Sequence, residues 1–134
     1  SYHKDPDKRD DSRYIHRGKF LWGLAEQRRD PDTYQGKLFQ GLRRLEQIRA
    51  GEPCFDARAD VWVEDSGSRH MLALVRRMGD RELVCLFNFS SDFVTAGVNR
   101  DGGYTELMYG AHYDQIRAVQ LWPNGFAWLL RDDT

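Results

Sequence analysis

The fold is decided by the stretch Leu83-Val84-Cys85-Leu86-Phe87. Five consecutive apolar residues leave no polar face, so a strand with this sequence has to be covered on both sides. We expect it to be the best buried strand of the protein. Replacing Leu86 with Asp is therefore expected to abolish soluble folding.

Further strand patterns lie on both sides of this stretch, from Ala57 onward. Alternation of apolar and polar residues, or a short apolar run, predicts seven strands at residues 59–64, 70–76, 82–89, 93–98, 104–108, 119–121 and 126–130. Turn sequences such as Asp65-Ser66-Gly67 and Pro123-Asn124-Gly125 separate them. Short strands separated in this way indicate a mainly β fold, an antiparallel two-sheet β-sandwich.

Helical patterns precede the strands. Residues 20–29 favour a short helix that ends at Asp30-Pro31, because the residue before a proline avoids helical geometry. Asp32 or Thr33 can cap a second helix. Its apolar side chains recur at three- and four-residue intervals and form one stripe: Tyr34, Leu38, Phe39, Leu42, Leu45 and Ile48. The stripe needs a partner surface, which is either the strands that follow or a domain outside this chain.

Composition limits the possible functions. A chain of 134 residues with 40% hydrophobic residues can bury one modest core. Residues 1–50 carry twelve Lys and Arg against eight acids, and residues 51–134 carry eight against thirteen. This split indicates two structural zones but is too weak for a nucleic-acid-binding stripe. No apolar stretch approaches the roughly 18 residues of a membrane span, so we expect a soluble, cytoplasmic protein without a membrane partner.

The motifs of several enzyme classes are missing. There is no Gly-x-Ser-x-Gly elbow, and the histidines lack metal-ligand spacing. Cys54 and Cys85 are too few for a disulfide framework or a zinc cluster, and we expect reduced thiols. Acidic residues near the start of the chain lack the glycine and the final Glu of a calcium loop. The sequence therefore offers no motif for nucleophilic catalysis, although residues distant in sequence could still meet in space, and we predict no metal site.

Aromatic residues leave one binding function open. Sugar platforms use exposed aromatic rings, and the candidates are Trp62, Tyr104, Tyr109, Tyr113, Trp122 and Trp128. Most of them are expected to fill the core or its edges. Trp128 alternates within an apolar strand and is expected to be buried, whereas Trp122, which precedes Pro123, is the best candidate for an exposed ring.

The run Asp10-Asp11-Ser12-Arg13-Tyr14-Ile15-His16-Arg17 is unusually dense in functional groups. A guanidinium presents several fixed N–H donors, and a neighbouring carboxylate can hold it in one rotamer. Asp10 or Asp11 beside Arg13 therefore indicates a preset hydrogen-bonding group. The alternative is a charged loop that happens to precede a helix. Residues 1–19 are expected to form a loop over another part of a longer protein.

The chain resembles the C-terminal portion of amylosucrase-like members of the α-amylase superfamily, glycoside hydrolase family 13. The resemblance rests on the run above and on Asp30-Pro31, Tyr34-Gln35-Gly36-Lys37-Leu38-Phe39-Gln40-Gly41-Leu42-Arg43, Phe87-Asn88-Phe89-Ser90 and Gly125-Phe126-Ala127-Trp128-Leu129. It implies that residues 1–52 are a loop and the last helices of a catalytic (β/α)8 barrel, and that residues 53–134 are the C-terminal β-sandwich domain.

The resemblance also implies which part of the enzyme carries the catalytic residues. The catalytic carboxylates would lie in the missing N-terminal barrel, which this chain would buttress without catalysing anything alone. Arg13 would contact the fructosyl side of sucrose or an acceptor sugar, with Asp10 and Asp11 in support. No cofactor is implied. Glucosyl transfer and sucrose hydrolysis both stay open, as does a stand-alone carbohydrate-binding or interaction module. A helix face exposed by truncation would favour self-association.

Overall fold

The computed structural model describes residues 20–133 and shows a mainly β protein. Two helices, α1 (Trp22–Glu26) and α2 (Tyr34–Gly51), precede the strands. The strands are β1 (Asp60–Glu64), β2 (Met71–Met78), β3 (Arg81–Asn88), β4 (Val94–Ala96), β5 (Tyr104–Glu106), β6 (His112–Tyr113), β7 (Val119–Leu121) and β8 (Phe126–Arg131). The chain divides into two compact units after Arg43.

The described part of the first unit is helical. The side chain of Thr33 connects the turn before α2 to the first turn of that helix. The Thr33 hydroxyl oxygen accepts a hydrogen bond from the Gly36 N–H at 3.0 Å and lies 2.8 Å from the carbonyl oxygens of Gln27 and Asp30. Of the two predicted caps, the structure therefore uses the threonine. Gly36 is required here, because a Cβ at this position would collide with the carbonyl group of Asp30.

The apolar stripe of α2 is covered only near its C-terminal end. Leu45 and Ile48 are half-buried and pack against a hydrophobic cluster of the second unit. The other four members of the stripe are exposed: Tyr34, Leu38, Phe39 and Leu42. Part of the predicted partner surface is therefore formed by the strands, and the N-terminal part of the stripe is exposed in the described part of the first unit.

The strands form two antiparallel sheets, as the sequence predicts. The large sheet has the order β1-β2-β3-β8-β5-β6, and the small sheet consists of β4 and β7. β3 lies between β2 and β8, with Leu86 opposite Ala73 on one side and Ala127 on the other. The strand that the sequence places at the centre is therefore central in the sheet, and the predicted two-sheet β fold is confirmed.

Each face of the large sheet buries its own cluster. The core between the two sheets contains Met71, Ala73, Val75, Val84, Leu86, Ala96, Val98, Tyr104, Ile116, Val119, Leu121, Ala127 and Leu129. The opposite face buries Cys54, Leu83, Cys85 and Trp128, with Leu45, Ile48 and Phe55 packed against them. Alternate residues of β3 enter different clusters, which explains why this strand is apolar on both sides.

The predicted strands differ from the observed ones mainly at their ends. β6 has no counterpart in the prediction, because a two-residue strand shows no alternation. His70, predicted inside a strand, lies in the turn before β2. The predicted strand at residues 93–98 contracts to Val94–Ala96, and the one at 104–108 contracts to Tyr104–Glu106.

Candidate functional site

The site that the sequence singles out precedes the described residues. Arg13 and its predicted supports Asp10 and Asp11 lie outside residues 20–133, as do His16 and Arg17. The contact between Arg13 and a sugar therefore stays a prediction.

A buried cluster of charges lies beside the core between the two sheets. Its centre is Glu82, whose side chain is 5% exposed. One carboxylate oxygen accepts a hydrogen bond from the Tyr104 hydroxyl at 2.9 Å and lies 3.2 Å from Arg100 Nε. The other accepts from the Arg77 guanidinium at 2.6 Å. Arg100 also forms an ion pair with Glu64. We call these five residues the Glu82 cluster.

The electrostatics of the Glu82 cluster indicate a structural role. Burial raises the pKa of Glu82, but the hydrogen bonds from Arg77 and Tyr104 and the charge of Arg100 outweigh it, and the net pKa lies below the usual value. Burial and the hydrogen bond to Glu82 raise the pKa of Tyr104 to about 12. The carboxylate oxygens of Glu82 thus already have donors, and the cluster as a whole connects β1, β2, β3 and β5.

A second ion pair fastens the segment after α2 to the sheet. Arg81 donates two hydrogen bonds to Glu52, at 3.1 and 2.7 Å, and Glu52 also accepts the Cys54 N–H at 3.0 Å. Burial raises the pKa of Glu52, and the hydrogen bonds from Arg81 and Cys54 lower it further than burial raises it. Arg76 donates to the carbonyl oxygens of Cys54 and Asp56. These contacts fix the backbone between α2 and β1 and, like the Glu82 cluster, indicate a structural role.

Neither the two thiols of the second unit nor His112 is arranged as a catalytic nucleophile or its base. Burial is the main reason that the pKa of Cys54 is raised to about 11 and that of Cys85 to about 12, so neither forms a thiolate near neutral pH. His112 lies 3.3 Å from a carboxylate oxygen of both Asp114 and Asp132, at an exposed edge of the sheet. Among residues 20–133 no group of three His, Cys, Asp or Glu side chains could hold a metal ion.

The aromatic residues that the sequence offers as sugar platforms differ in burial, and Trp62 and Tyr113 are half-buried against the core. Tyr104 and Trp128 are buried, as predicted for Trp128, whereas Trp122 and Tyr109 are exposed. The structure adds Phe93, which contacts Trp122 and which the sequence analysis missed. Its one signal in the sequence is its place next to Val94. Neighbouring residues of a strand point to opposite faces, so if Val94 faces the core, Phe93 faces outward.

The first unit carries an open apolar groove of about 430 Å³. Phe20, Leu24, Leu38, Phe39 and Leu42 line it, and each is at least 39% exposed. A contiguous exposed apolar surface of this kind is typical of a site that contacts another protein, a ligand or a membrane. Among the described residues, neither helix combines the length and the apolar composition that a membrane crossing requires.

The fold has close counterparts among solved structures, although no family model matches the chain. One is a variant of AmyP in complex with maltotriose, with a TM-score of 0.68 at 19% identity over 77% of this chain. Another is an α-amylase from Anoxybacillus, with a TM-score of 0.62 at 18% identity over 78% of this chain. A third is an isomaltulose synthase variant from Erwinia rhapontici NX5 in complex with D-glucose. Its TM-score is 0.63 at 17% identity over 81% of this chain. The chain covers only 22%, 26% and 20% of these three chains, respectively.

Proposed function

We propose that this chain is the C-terminal portion of an α-amylase-superfamily enzyme of glycoside hydrolase family 13, with amylosucrase-like specificity. One observation carries the proposal: the fold matches carbohydrate-active enzymes over about four fifths of this chain but only about a fifth of theirs. The similarity of sequence supports the amylosucrase-like assignment through the Asp10-to-Arg17 run. The rest of such an enzyme, including its catalytic carboxylates, would belong to a barrel that precedes this chain.

The exposed helical groove fits this assignment. Leu38, Phe39 and Leu42 form an apolar face that the described residues leave open. We propose that the barrel of the same protein covers this face, because the last helices of a barrel pack against its strands and neighbouring helices. In the isolated chain the same face would favour self-association. Sedimentation at several concentrations would show it, and Leu38→Glu should reduce it.

The chemistry would be shared between the barrel and this chain. In a retaining glycoside hydrolase, one carboxylate attacks the anomeric carbon while an acid protonates the departing sugar, and the glycosyl-enzyme then passes to an acceptor or to water. This chain would provide the β scaffold and, with Arg13, a guanidinium that donates hydrogen bonds to sugar hydroxyls. Asp10 and Asp11 would hold that guanidinium in one rotamer. No step here requires a cofactor.

The test uses the complete protein that the coding sequence specifies. Arg13→Ala is expected to lower kcat/KM for sucrose by roughly tenfold to a hundredfold, since a hydrogen bond to a charged group contributes about 1.5–3 kcal/mol. Arg9→Ala, a neighbouring cation without a proposed contact, is the matched control and should leave turnover unchanged. The isolated chain should not cleave sucrose.

Three results would overturn the proposal. They are turnover of sucrose or α-glucan by the isolated chain, equal effects of the Arg13 and Arg9 substitutions, and a coding sequence without a barrel. The last result would leave the stand-alone carbohydrate-binding or interaction module as the remaining function.

A further inference from the structure

Two large aromatic side chains lie exposed and in contact on the outside of the small sheet. Phe93 is 53% exposed and Trp122 is 72% exposed, and their ring centroids are 5.1 Å apart with an interplanar angle of 47°. Phe93 immediately precedes β4 and Trp122 immediately follows β7. Because Val94 is paired with Leu121, the antiparallel register brings the two aromatic residues opposite each other. We call them the Phe93–Trp122 platform.

The backbone under the platform is held by a buried carboxamide. Asn88 is 3% exposed, and its amide group donates hydrogen bonds to the carbonyl oxygens of Asp92 at 2.7 Å and Trp122 at 2.8 Å. Its oxygen accepts from the backbone and the hydroxyl of Ser90. Ser90 in turn accepts the Asn124 N–H through its carbonyl oxygen. Both aromatic loops are thus fixed to one side chain, and the platform is formed before any ligand binds.

Hydrogen-bonding groups continue the same surface. Thr95 and Gln120 are paired in the register and both are exposed. Since side chains two residues apart along a strand share a face, they lie roughly 7 Å from the aromatic residues on the outer side of the sheet. A hydroxyl and a carboxamide can each donate and accept. The surface therefore consists of two rings followed by two neutral polar groups.

This combination matches the chemistry of a sugar. A pyranose ring has an apolar face of C–H groups, which suits the electron-rich face of an aromatic ring, and hydroxyls at its edge, which suit neutral donors and acceptors. Residues 51–134 have thirteen acids against eight Lys and Arg, which disfavours phosphate, nucleic acid and an anionic membrane as partners. The tilt between the rings makes the platform bent, which fits a curved chain better than a flat one.

We propose that the Phe93–Trp122 platform binds α-linked glucan, with Thr95 and Gln120 hydrogen-bonding to the sugar hydroxyls. The choice of an α-linked chain rests on the proposed function and on the bend of the platform. Binding at such a surface would hold a polymeric substrate or product on the enzyme.

The experiment measures binding to the purified chain. In native gels that contain amylose, the wild-type chain should be retarded, and titration with maltoheptaose should give a measurable Kd. Trp122→Ala and Phe93→Ala should each weaken binding roughly tenfold. Tyr109→Ala is the matched control, because this ring is 88% exposed elsewhere on the same unit and should contribute nothing. Circular dichroism should show that all variants are folded, since the three side chains lie on the surface.

Each result decides the matter. Retardation that both platform substitutions weaken and Tyr109→Ala leaves unchanged supports the site. Absence of retardation, or equal binding by wild type and Trp122→Ala, overturns it, and equal binding of cellohexaose overturns the preference for an α-linked chain. If the complete protein turns over sucrose or α-glucan while Trp122→Ala binds amylose normally, only the platform fails. If the platform binds amylose but the coding sequence holds no barrel, only the proposed enzyme fails.

Discussion

Glu82→Gln is the substitution that tests the buried charge cluster most directly. It removes one charge and leaves the shape of the side chain nearly unchanged. Arg100, whose side chain is 23% exposed, then loses one of its two carboxylate partners, and Arg77 loses its partner at 2.6 Å. Removal of one partner from a buried ion pair typically costs about 3–5 kcal/mol. We expect a loss of about 3 kcal/mol in the free energy of unfolding, because Arg77 is half-exposed and the Gln oxygen still accepts from Tyr104.

The measurement is urea unfolding followed by circular dichroism at pH 7 and at several acid pH values. Because the folded-state pKa of Glu82 is lowered, its contribution is complete above its unfolded-state pKa and is lost as the pH falls through the folded-state value. The difference between wild type and Glu82→Gln should therefore shrink in acid. Asp101→Asn breaks an exposed pair with Arg117 and is the control, with an expected change below about 0.5 kcal/mol. A Glu82→Gln effect as small as the control, or one that stays constant in acid, would refute the reasoning.

Three further predictions concern the core, the thiols and the N-terminal cap of α2. Leu86→Asp should abolish the soluble folded state because it buries a carboxylate among apolar side chains, whereas Val63→Asp on an exposed position should keep a cooperative melt. A thiol reagent at pH 8 should modify Cys54 and Cys85 only after denaturant is added, because burial raises the pKa of both thiols. Rapid labelling of the native protein would contradict this prediction. Thr33→Ala should destabilise the first turn of α2 by about 1 kcal/mol. Hydrogen exchange would detect this as faster exchange of the amides at the start of α2. Unchanged exchange would argue against the cap.

The strand core could be predicted because its signal is local. An apolar run with no polar face identifies β3, and turn residues mark most strand ends. Thr33 was one of two candidate caps, and only the structure shows that its hydroxyl oxygen accepts the Gly36 N–H. The division of the α2 stripe into a covered and an exposed part depends on which strands pack below it, and periodicity contains no such information.

The groups that depend on register could not be predicted. Glu82 lies on β3 and Tyr104 on β5, two strands that are distant in sequence and brought near each other by the order of the large sheet, and Arg100 reaches them from the segment between β4 and β5. A charged residue among the inward positions of β3 does signal a need for partners, but it does not say which ones. The same holds for Phe93 and Trp122, which meet only because β4 pairs with β7. For Arg13, the resemblance to a family supplied the role, and the role stays a prediction.

The position of β3 between β2 and β8 has a consequence for biosynthesis. β2 follows β1 closely and β3 follows β2, so this meander can pair as soon as it leaves the ribosome. β8 is made only after β4 to β7, and until then the apolar β3 has an open hydrogen-bonding edge. A nascent chain halted before residue 126 would present that edge to other chains, which makes it a substrate for chaperones and for aggregation.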